Sequence, residues 1–242
     1  MTPPTSGAAA AASGAASSGR FDLVTLDLDG TLLPGDTTFA AILRDHGHAD
    51  FAQETDQAYF DGRMSLEECF WAQWAKVQPL SLADLHRSLR KAAWLPGIGE
   101  GVRRLKEGGV RVALLTDQPS TCTDFLGRWG LTDAICSPVA VKEGKQVSIE
   151  ARFDKLANLR RRLAEWGIPE GKVCHVGNGT NDIPVFHAVG GSVAVFDHPQ
   201  VRAAGKAWVE KPARLDDLVD AVLRQHYDGG KVESSSHGPQ TR

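Results

Sequence analysis

The sequence predicts an α/β fold in which a doubly wound, Rossmann-like parallel sheet carries a small helical cap inserted after its first strand. Short apolar runs alternate with amphipathic stretches along most of the chain, a pattern typical of a parallel sheet covered by helices on both faces. One long interval, residues 36–94, breaks this alternation and shows only helical periodicity. These two observations predict that the strands of the sheet lie outside that interval.

Five apolar runs have the length of buried strands, and amphipathic stretches separate or follow them. A polar segment within residues 132–149 interrupts two short apolar runs and predicts a hairpin. The predicted strands cover residues 22–27, 110–116, 134–136, 173–176 and 192–195, and the predicted helices cover residues 98–107, 120–129, 152–166, 182–189 and 214–225.

The interval after the first strand predicts a cap of four helices. Ser65 and Ser81 stand at helix N-cap positions, each with an acidic residue three positions later as in a capping box. We expect a core domain from residues 21–35 and 95–227, a cap from residues 36–94, and disordered ends rich in small or polar residues. The predicted cap helices cover residues 38–45, 51–60, 66–77 and 82–93, and the predicted disordered ends cover residues 1–20 and 228–242.

The composition is that of a soluble globular protein, with 42% hydrophobic and 24% charged residues among 242. The net charge of −3 gives no reason to expect a nucleic-acid or membrane partner, and no apolar run approaches the roughly 20 residues that span a bilayer. The oligomeric state stays open. Scattered cysteines indicate reduced thiols and a cytoplasmic location, with structural disulfides as the alternative; they are Cys69, Cys122, Cys136 and Cys174.

The first strand ends in two carboxylates one residue apart, within residues 27–31, Asp-Leu-Asp-Gly-Thr. Asp27 and Asp29 point to the same side of an extended chain. An Asp at a strand end can act as a nucleophile. A solvated turn is the alternative, because Asp and Gly favour turns.

Polar residues also follow two later strands. Thr116 and Asp117 end the second predicted strand, and the fourth runs into residues 177–182, Gly-Asn-Gly-Thr-Asn-Asp. A helix between these strands carries Lys155. Functional groups collect at the carboxyl ends of strands in a doubly wound sheet, so the residues are expected to form one site.

This order of motifs resembles the haloacid dehalogenase-like (HAD) superfamily, whose members mostly hydrolyse phosphate esters through a phospho-aspartate. The resemblance covers about residues 21–223, and the small helical cap and residues 177–209 are similar to the phosphoserine-phosphatase-like branch. It implies a phosphatase that uses Mg²⁺ and acts on a small phosphorylated metabolite.

The resemblance also implies a role for each motif residue. Asp27 is the expected nucleophile, and Asp29 protonates the leaving alcohol and then activates water. Thr116 and Lys155 contact the phosphoryl oxygens. The expected metal ligands are Asp27, Asp29, Asn178 and Asp182, and the residues assigned to substrate binding are Gly30, Asp36, Lys76, Asp117 and Asn181.

Two positions depart from the family pattern. Asn178 stands where the family has a metal-binding Asp, so we expect weaker metal binding with catalysis retained. Lys76 is the nearest match to a cap Arg that grips the carboxylate of phosphoserine, and a Lys lacks the bidentate fork. Asp36 remains available for an amino group. Other small phosphomonoesters are therefore expected as substrates beside phosphoserine.

Two other functions compete with this hypothesis. Dehalogenation by the same nucleophile is one, but it needs neither a second acid nor a metal, and the pair Asp27 and Asp29 argues against it. A catalytically silent binding or regulatory protein is the other, and Asn178 is the residue that favours it.

Overall fold

The computed structural model describes residues 21–78, 80–196 and 198–225, so the predicted disordered ends lie outside the described residues. The strands, in chain order, are β1 (Leu23–Leu26), β2 (Arg111–Pro119), β3 (Asp133–Ser137), β4 (Val139–Lys142), β5 (Lys145–Ile149), β6 (Val173–Gly177), β7 (Gly191–Val195) and β8 (Ala207–Val209). Six of them form a parallel sheet in the order β3-β2-β1-β6-β7-β8. Strands β4 and β5 form the predicted hairpin. The predicted fold class is confirmed.

Helices fill the intervals between the strands. After β1 come α1 (Thr38–Asp45), α2 (Ala49–Phe60), α3 (Leu66–Val77), α4 (Leu82–Lys91) and α5 (Ile98–Glu107). Later in the chain come α6 (Ser120–Asp124), α7 (Lys155–Trp166), α8 (Ile183–Ala188), α9 (Pro199–Ala204) and α10 (Leu215–Leu223). Within the described ranges, no helix combines the length and the apolar character needed to cross a membrane.

Helices cover the central strand β1 on both faces. Alternate residues of a strand point to opposite faces, and here Leu23 packs in one cluster with Leu159 of α7. Val24 belongs to a second cluster with Val102 of α5 and Leu218 of α10. All four residues of β1 are buried, as expected for a strand inside a doubly wound sheet.

Helices α1 to α4 lie between β1 and β2, in the interval where the sequence predicts a cap. The Ser65 hydroxyl accepts a hydrogen bond from the N–H of Glu68, whose carboxylate accepts the N–H of Ser65, so this capping box is formed. Phe70 of α3 packs edge-on against Phe153 at a centroid distance of 5.1 Å, which joins the helical segment to the sheet domain. The exact domain boundaries stay predictions.

Some elements differ from those that the periodicity predicts. Helix α9 and strand β8 are not among the predicted elements, because β8 has only three residues and none of them is fully buried. The predicted helix 120–129 is α6 followed by a 3-10 turn, Phe125–Trp129, which ends at Gly130 in the left-handed region. The four cysteines are free thiols, so the disulfide alternative does not hold.

We expect Gly190→Ala to lower the free energy of unfolding by about 1–3 kcal/mol, a typical cost of overpacking. A Cβ at Gly190 would lie 2.0 Å from the backbone carbonyl oxygen of Gly171, which cannot move away as a side chain could. Denaturant unfolding measures the change. Gly127→Ala is the matched control, because a Cβ there meets nothing within 4 Å; equal stability of the two variants would contradict the predicted clash.

Candidate active site

The carboxyl ends of β1, β2 and β6 lie side by side and carry the motif residues. Asp27 directly follows β1, and its N–H donates to the carbonyl oxygen of Val176 in β6 over 2.8 Å. Thr116 lies in the last part of β2, and Asn178 follows β6. The parallel register therefore brings together side chains that are distant in sequence.

A buried ammonium group joins two carboxylates at this edge. Lys155 is the first residue of α7, and its Nζ lies 2.6 Å from Asp27 Oδ1 and 2.7 Å from Asp182 Oδ1. The exposed fraction is 4% for Asp27 and Lys155 and 0% for Asp182. We call these three residues the ion cluster; it has two carboxylates and one ammonium.

The ion cluster perturbs the acidity of each member. Burial raises the pKa of Asp27, and the negative charge of Asp182 adds to this rise, while Lys155 only partly opposes it. Burial alone would lower the pKa of Lys155, but the charges of Asp182 and Asp27 outweigh it and raise this pKa. Burial likewise opposes ionisation of Asp182, yet Lys155 and His175 hold its pKa below the ordinary range. Lys155 and Asp182 are therefore a firm ion pair.

His175 is a site residue that the sequence reasoning missed. Its Nε2 lies 3.0 Å from Asp182 Oδ1, and its Nδ1 lies 2.9 Å from the Thr25 hydroxyl. Because a carboxylate only accepts, Nε2 carries a proton. Nδ1 also lies 3.3 Å from the Thr25 carbonyl oxygen. The second oxygen of Asp182 accepts the N–H of Gly179 over 2.9 Å. Asp182 is thus held by Lys155, His175 and Gly179. Nothing in the sequence around His175 indicates that it orients Asp182.

Asp29 lies between the cap and the sheet. Its Oδ1 accepts the N–H of Thr38, the first residue of α1, over 2.8 Å, and its Oδ2 accepts from Nε2 of Gln118 in β2. Burial raises the pKa of Asp29 to about 7, because it outweighs these hydrogen bonds, which lower the pKa. A carboxyl group of this kind exchanges a proton near neutral pH, as a general acid or base must. Gln118 was not predicted.

Asn178 places one end of its amide between the oxygens of the first motif. That atom lies 2.9 Å from Thr31 Oγ1, 3.0 Å from Asp27 Oδ2 and 2.9 Å from the carbonyl oxygen of Asp29. Gly30, at φ +77°, leaves the room for it, because a Cβ there would lie 2.1 Å from the amide. Asn178 thus contacts the first motif directly, while its role as a metal ligand stays a prediction.

Thr116, Asp117 and Asn181 lie on the β2 side. The Thr116 side chain is buried, and its hydroxyl accepts the N–H of Gln118 over 3.3 Å. Asn181 Nδ2 donates to Asp117 Oδ2 over 2.9 Å, while Asp117 Oδ1 is buried without a hydrogen-bond partner among the described residues. Burial raises the pKa of Asp117 to about 7, since Lys155 and Asn181 only partly offset it.

The predicted cap contacts have other partners. The carboxylate of Asp36 forms a bidentate ion pair with Arg44, with distances of 2.9 and 3.0 Å. Lys76 Nζ lies over the ring of Phe51, 5.5 Å from its centroid. The N–H of Gly30 is donated to backbone carbonyl oxygens, including that of Asp36. The structure therefore does not bring the Asp36 and Lys76 side chains together with the ion cluster, and their roles in substrate binding stay predictions.

The fold and the residues of this site are matched by one protein family. Residues 24–187 match the family model of the haloacid dehalogenase-like hydrolases. The chain belongs to this family. Several proteins that are similar to this chain are phosphoserine phosphatases.

Two curated relatives are phosphoserine phosphatases. That of Streptomyces coelicolor is 27% identical over 207 residues, which are 83% of this chain and 49% of the relative. That of Methanocaldococcus jannaschii is 22% identical over 196 residues, or 78% of this chain and 92% of the relative. The chain thus spans about half the length of the first relative and nearly all of the second.

Solved structures share the fold at low identity. A phospho-aspartyl intermediate analogue of a phosphoserine phosphatase superimposes with a TM-score of 0.70 at 20% identity, over 83% of this chain and 98% of that one. A HAD family hydrolase from Salmonella enterica serovar Typhi gives a TM-score of 0.72 at 18% identity, over 83% and 71% of the two chains. These likenesses confirm the doubly wound α/β architecture.

We expect Asp117→Asn to stabilise the protein increasingly as the pH rises. The pKa of Asp117 is about 7 in the fold against 3.8 as the ordinary value, so the folded state holds this proton more tightly and loses stability between about pH 4 and pH 8. Asn does not ionise. The difference in unfolding free energy between variant and wild type should rise by up to about 4 kcal/mol over this range.

Denaturant unfolding at pH 4 and pH 8 measures this difference. Asp133→Asn is the control, because that carboxylate pairs with Arg111 at a partly exposed position in β3. If the difference in unfolding free energy between Asp117→Asn and wild type does not change with pH, burial does not perturb the pKa of this carboxyl group.

Proposed function

We propose that the protein is a phosphomonoester hydrolase that acts on a small phosphorylated metabolite through a phospho-aspartate at Asp27. The observation that carries this proposal is the ion cluster, in which an ammonium group lies 2.6 Å from a carboxylate at the end of the central strand. Asp29, two residues on, has a pKa of about 7 and suits an acid/base role. Family membership and the named relatives support the same reaction class.

The residues can divide the reaction into two steps. In the first, a carboxylate oxygen of Asp27 bonds to phosphorus, the ester P–O bond breaks, and the leaving alcohol takes a proton from Asp29. In the second, Asp29 takes a proton from water, whose oxygen bonds to phosphorus as the bond to Asp27 breaks and phosphate leaves. Lys155 offsets the negative charge that a phosphate brings to two carboxylates, and the Thr116 hydroxyl is a donor for a phosphoryl oxygen.

Mg²⁺ fits the oxygens around Asn178. Neighbouring ligands of an octahedral Mg²⁺ lie about 2.9 Å apart, because each is 2.0–2.1 Å from the ion. The inward atom of the Asn178 amide lies 3.0 Å from Asp27 Oδ2 and 2.9 Å from the Asp29 carbonyl oxygen, which is this spacing. With two carboxylates and one ammonium group, the ion cluster has a net charge of −1, which a cation can offset. When bound, Mg²⁺ would neutralise phosphoryl oxygens beside the nucleophile.

This donor set differs from a cluster of charged ligands. It consists of one carboxylate and two uncharged carbonyl-type oxygens, and the described residues hold no group of three His, Cys, Asp or Glu side chains suited to a metal. The oxygens of Asp182 are taken by Lys155, His175 and Gly179. We therefore propose that Asp182 positions Lys155, a change from the metal-ligand role that the sequence predicts.

The substrate range is proposed to be broader than phosphoserine. A bidentate pair with Arg44 holds Asp36, and Lys76 lies over Phe51, so neither side chain is free to read the amino and carboxylate groups of an amino acid. We propose a cytoplasmic enzyme with small phosphorylated metabolites as its partners.

A catalytically silent binding protein is the second candidate function. Asn178 favours it, because its amide can donate a hydrogen bond to Asp27 instead of binding a cation.

We expect Asp27→Asn to abolish release of phosphate from small phosphomonoesters, because an amide does not attack phosphorus as a carboxylate does. Wild type should release phosphate, faster with Mg²⁺ than with EDTA, from a panel that includes phosphoserine and phosphorylated sugars and alcohols. A malachite green assay measures release, and circular dichroism checks the fold.

Asp133→Asn is the matched control, since it also removes a paired carboxylate but lies at the amino end of β3, away from the site. It should retain wild-type turnover. Turnover that survives in Asp27→Asn would reject the phospho-aspartate mechanism. Tight binding of phosphorylated ligands by wild type without turnover would favour the silent binding protein.

A further inference from the structure

The amide of Asn178 meets two groups that can only accept hydrogen bonds. Its inward atom lies 3.0 Å from the Asp27 carboxylate and 2.9 Å from the Asp29 carbonyl oxygen. The third neighbour, the Thr31 hydroxyl at 2.9 Å, can donate or accept. An amide has an oxygen at one end and an NH₂ group at the other, and both ends have nearly the same shape, so either end fits this position.

The two orientations of the amide demand different surroundings. With the nitrogen inward, its two protons go to Asp27 Oδ2 and the Asp29 carbonyl oxygen, and every group is satisfied without a cation. With the oxygen inward, it faces Asp27 Oδ2 at 3.0 Å and the Asp29 carbonyl oxygen at 2.9 Å. The Thr31 hydroxyl can donate to it, but a cation is needed to offset the repulsion from the other two oxygens.

We propose that Asn178 is a two-state switch at this site, with its nitrogen inward when the site is free of metal and its oxygen inward when Mg²⁺ binds. The proposal rests on the proposed function, because it takes the Mg²⁺ site from there. A half-turn of the amide exchanges two internal hydrogen bonds for one metal bond. Metal binding is therefore weakened by a competing state of the protein itself, and the metal-free site stays ordered.

A carboxylate in this position lacks such a choice. An ionised Asp has only acceptor oxygens, so without metal it would face the Asp27 carboxylate at about 3 Å, and the pair would either repel or bind a proton. Two neighbouring residues also accommodate the amide. Gly30 leaves the space that a Cβ would fill, and the Thr31 hydroxyl can direct its proton to Asp27 Oδ2, 3.3 Å away, when the Asn178 nitrogen is inward.

The test compares wild type with Asn178→Asp, without substrate. Isothermal titration with Mg²⁺ should show that the variant binds about tenfold more tightly or better, because it gains a charged ligand and loses the competing hydrogen bonds. In EDTA the variant should melt at a lower temperature than wild type, and Mg²⁺ should raise its melting temperature more. Asn181→Asp adds the same charge nearby, on a residue that contacts Asp117, and should change Mg²⁺ affinity by less than threefold.

A second measurement on wild type does not depend on any variant folding. Labelled with ¹⁵N, the Asn178 side-chain NH₂ should be protected from hydrogen exchange in EDTA and lose that protection on addition of Mg²⁺, with a midpoint at the calorimetric dissociation constant. Equal Mg²⁺ affinity and equal EDTA melting temperatures of wild type and Asn178→Asp would overturn the switch, as would an NH₂ signal that Mg²⁺ leaves unchanged. None of these readouts uses turnover, so failure of phosphate release would reject the proposed function separately.

Discussion

The contact of the Lys155 ammonium with the carboxylates of Asp27 and Asp182 is the interaction on which the site depends. Two carboxylates with exposed fractions of 4% and 0% could not remain ionised side by side without a buried positive charge. Several elements serve this contact. Asp154 caps α7 and so begins that helix at Lys155. Asp27 directly follows β1, and Asp182 ends the 3-10 turn that follows the neighbouring strand β6. His175 and the N–H of Gly179 then orient Asp182.

Asp29 connects the helical segment after β1 with the sheet. Asp29 accepts hydrogen bonds from the first turn of α1 and from Gln118 at the end of β2, so its position depends on both parts of the chain. Packing between α1 and β2 buries Asp29, and this burial raises its pKa to about 7. A movement of α1 that breaks the Thr38 contact would expose Asp29 to water and return its pKa towards the ordinary value.

The chain shares the α/β architecture of solved phosphoserine phosphatases. Structures with 20% identity superimpose with a TM-score of 0.70, which shows the fold and leaves the substrate to be tested. An uncharged amide, Asn178, contacts the first motif, and Arg44 forms a bidentate ion pair with Asp36. Neither feature disturbs the sheet.

Local patterns were enough to predict the fold class, the position of the helical segment and the motif around Asp27. Apolar periodicity and residue spacing are properties of neighbouring residues, and they determine which side chains a helix or strand can bury. Other features arise between residues far apart in the chain. His175 meets Thr25 across 150 positions and Gln118 meets Asp29 across 89, and no pattern near either residue signals the contact. Tertiary packing decided that Asp36 pairs with Arg44 and that Asp182 pairs with Lys155, because such choices depend on which charged groups the folded chain makes neighbours.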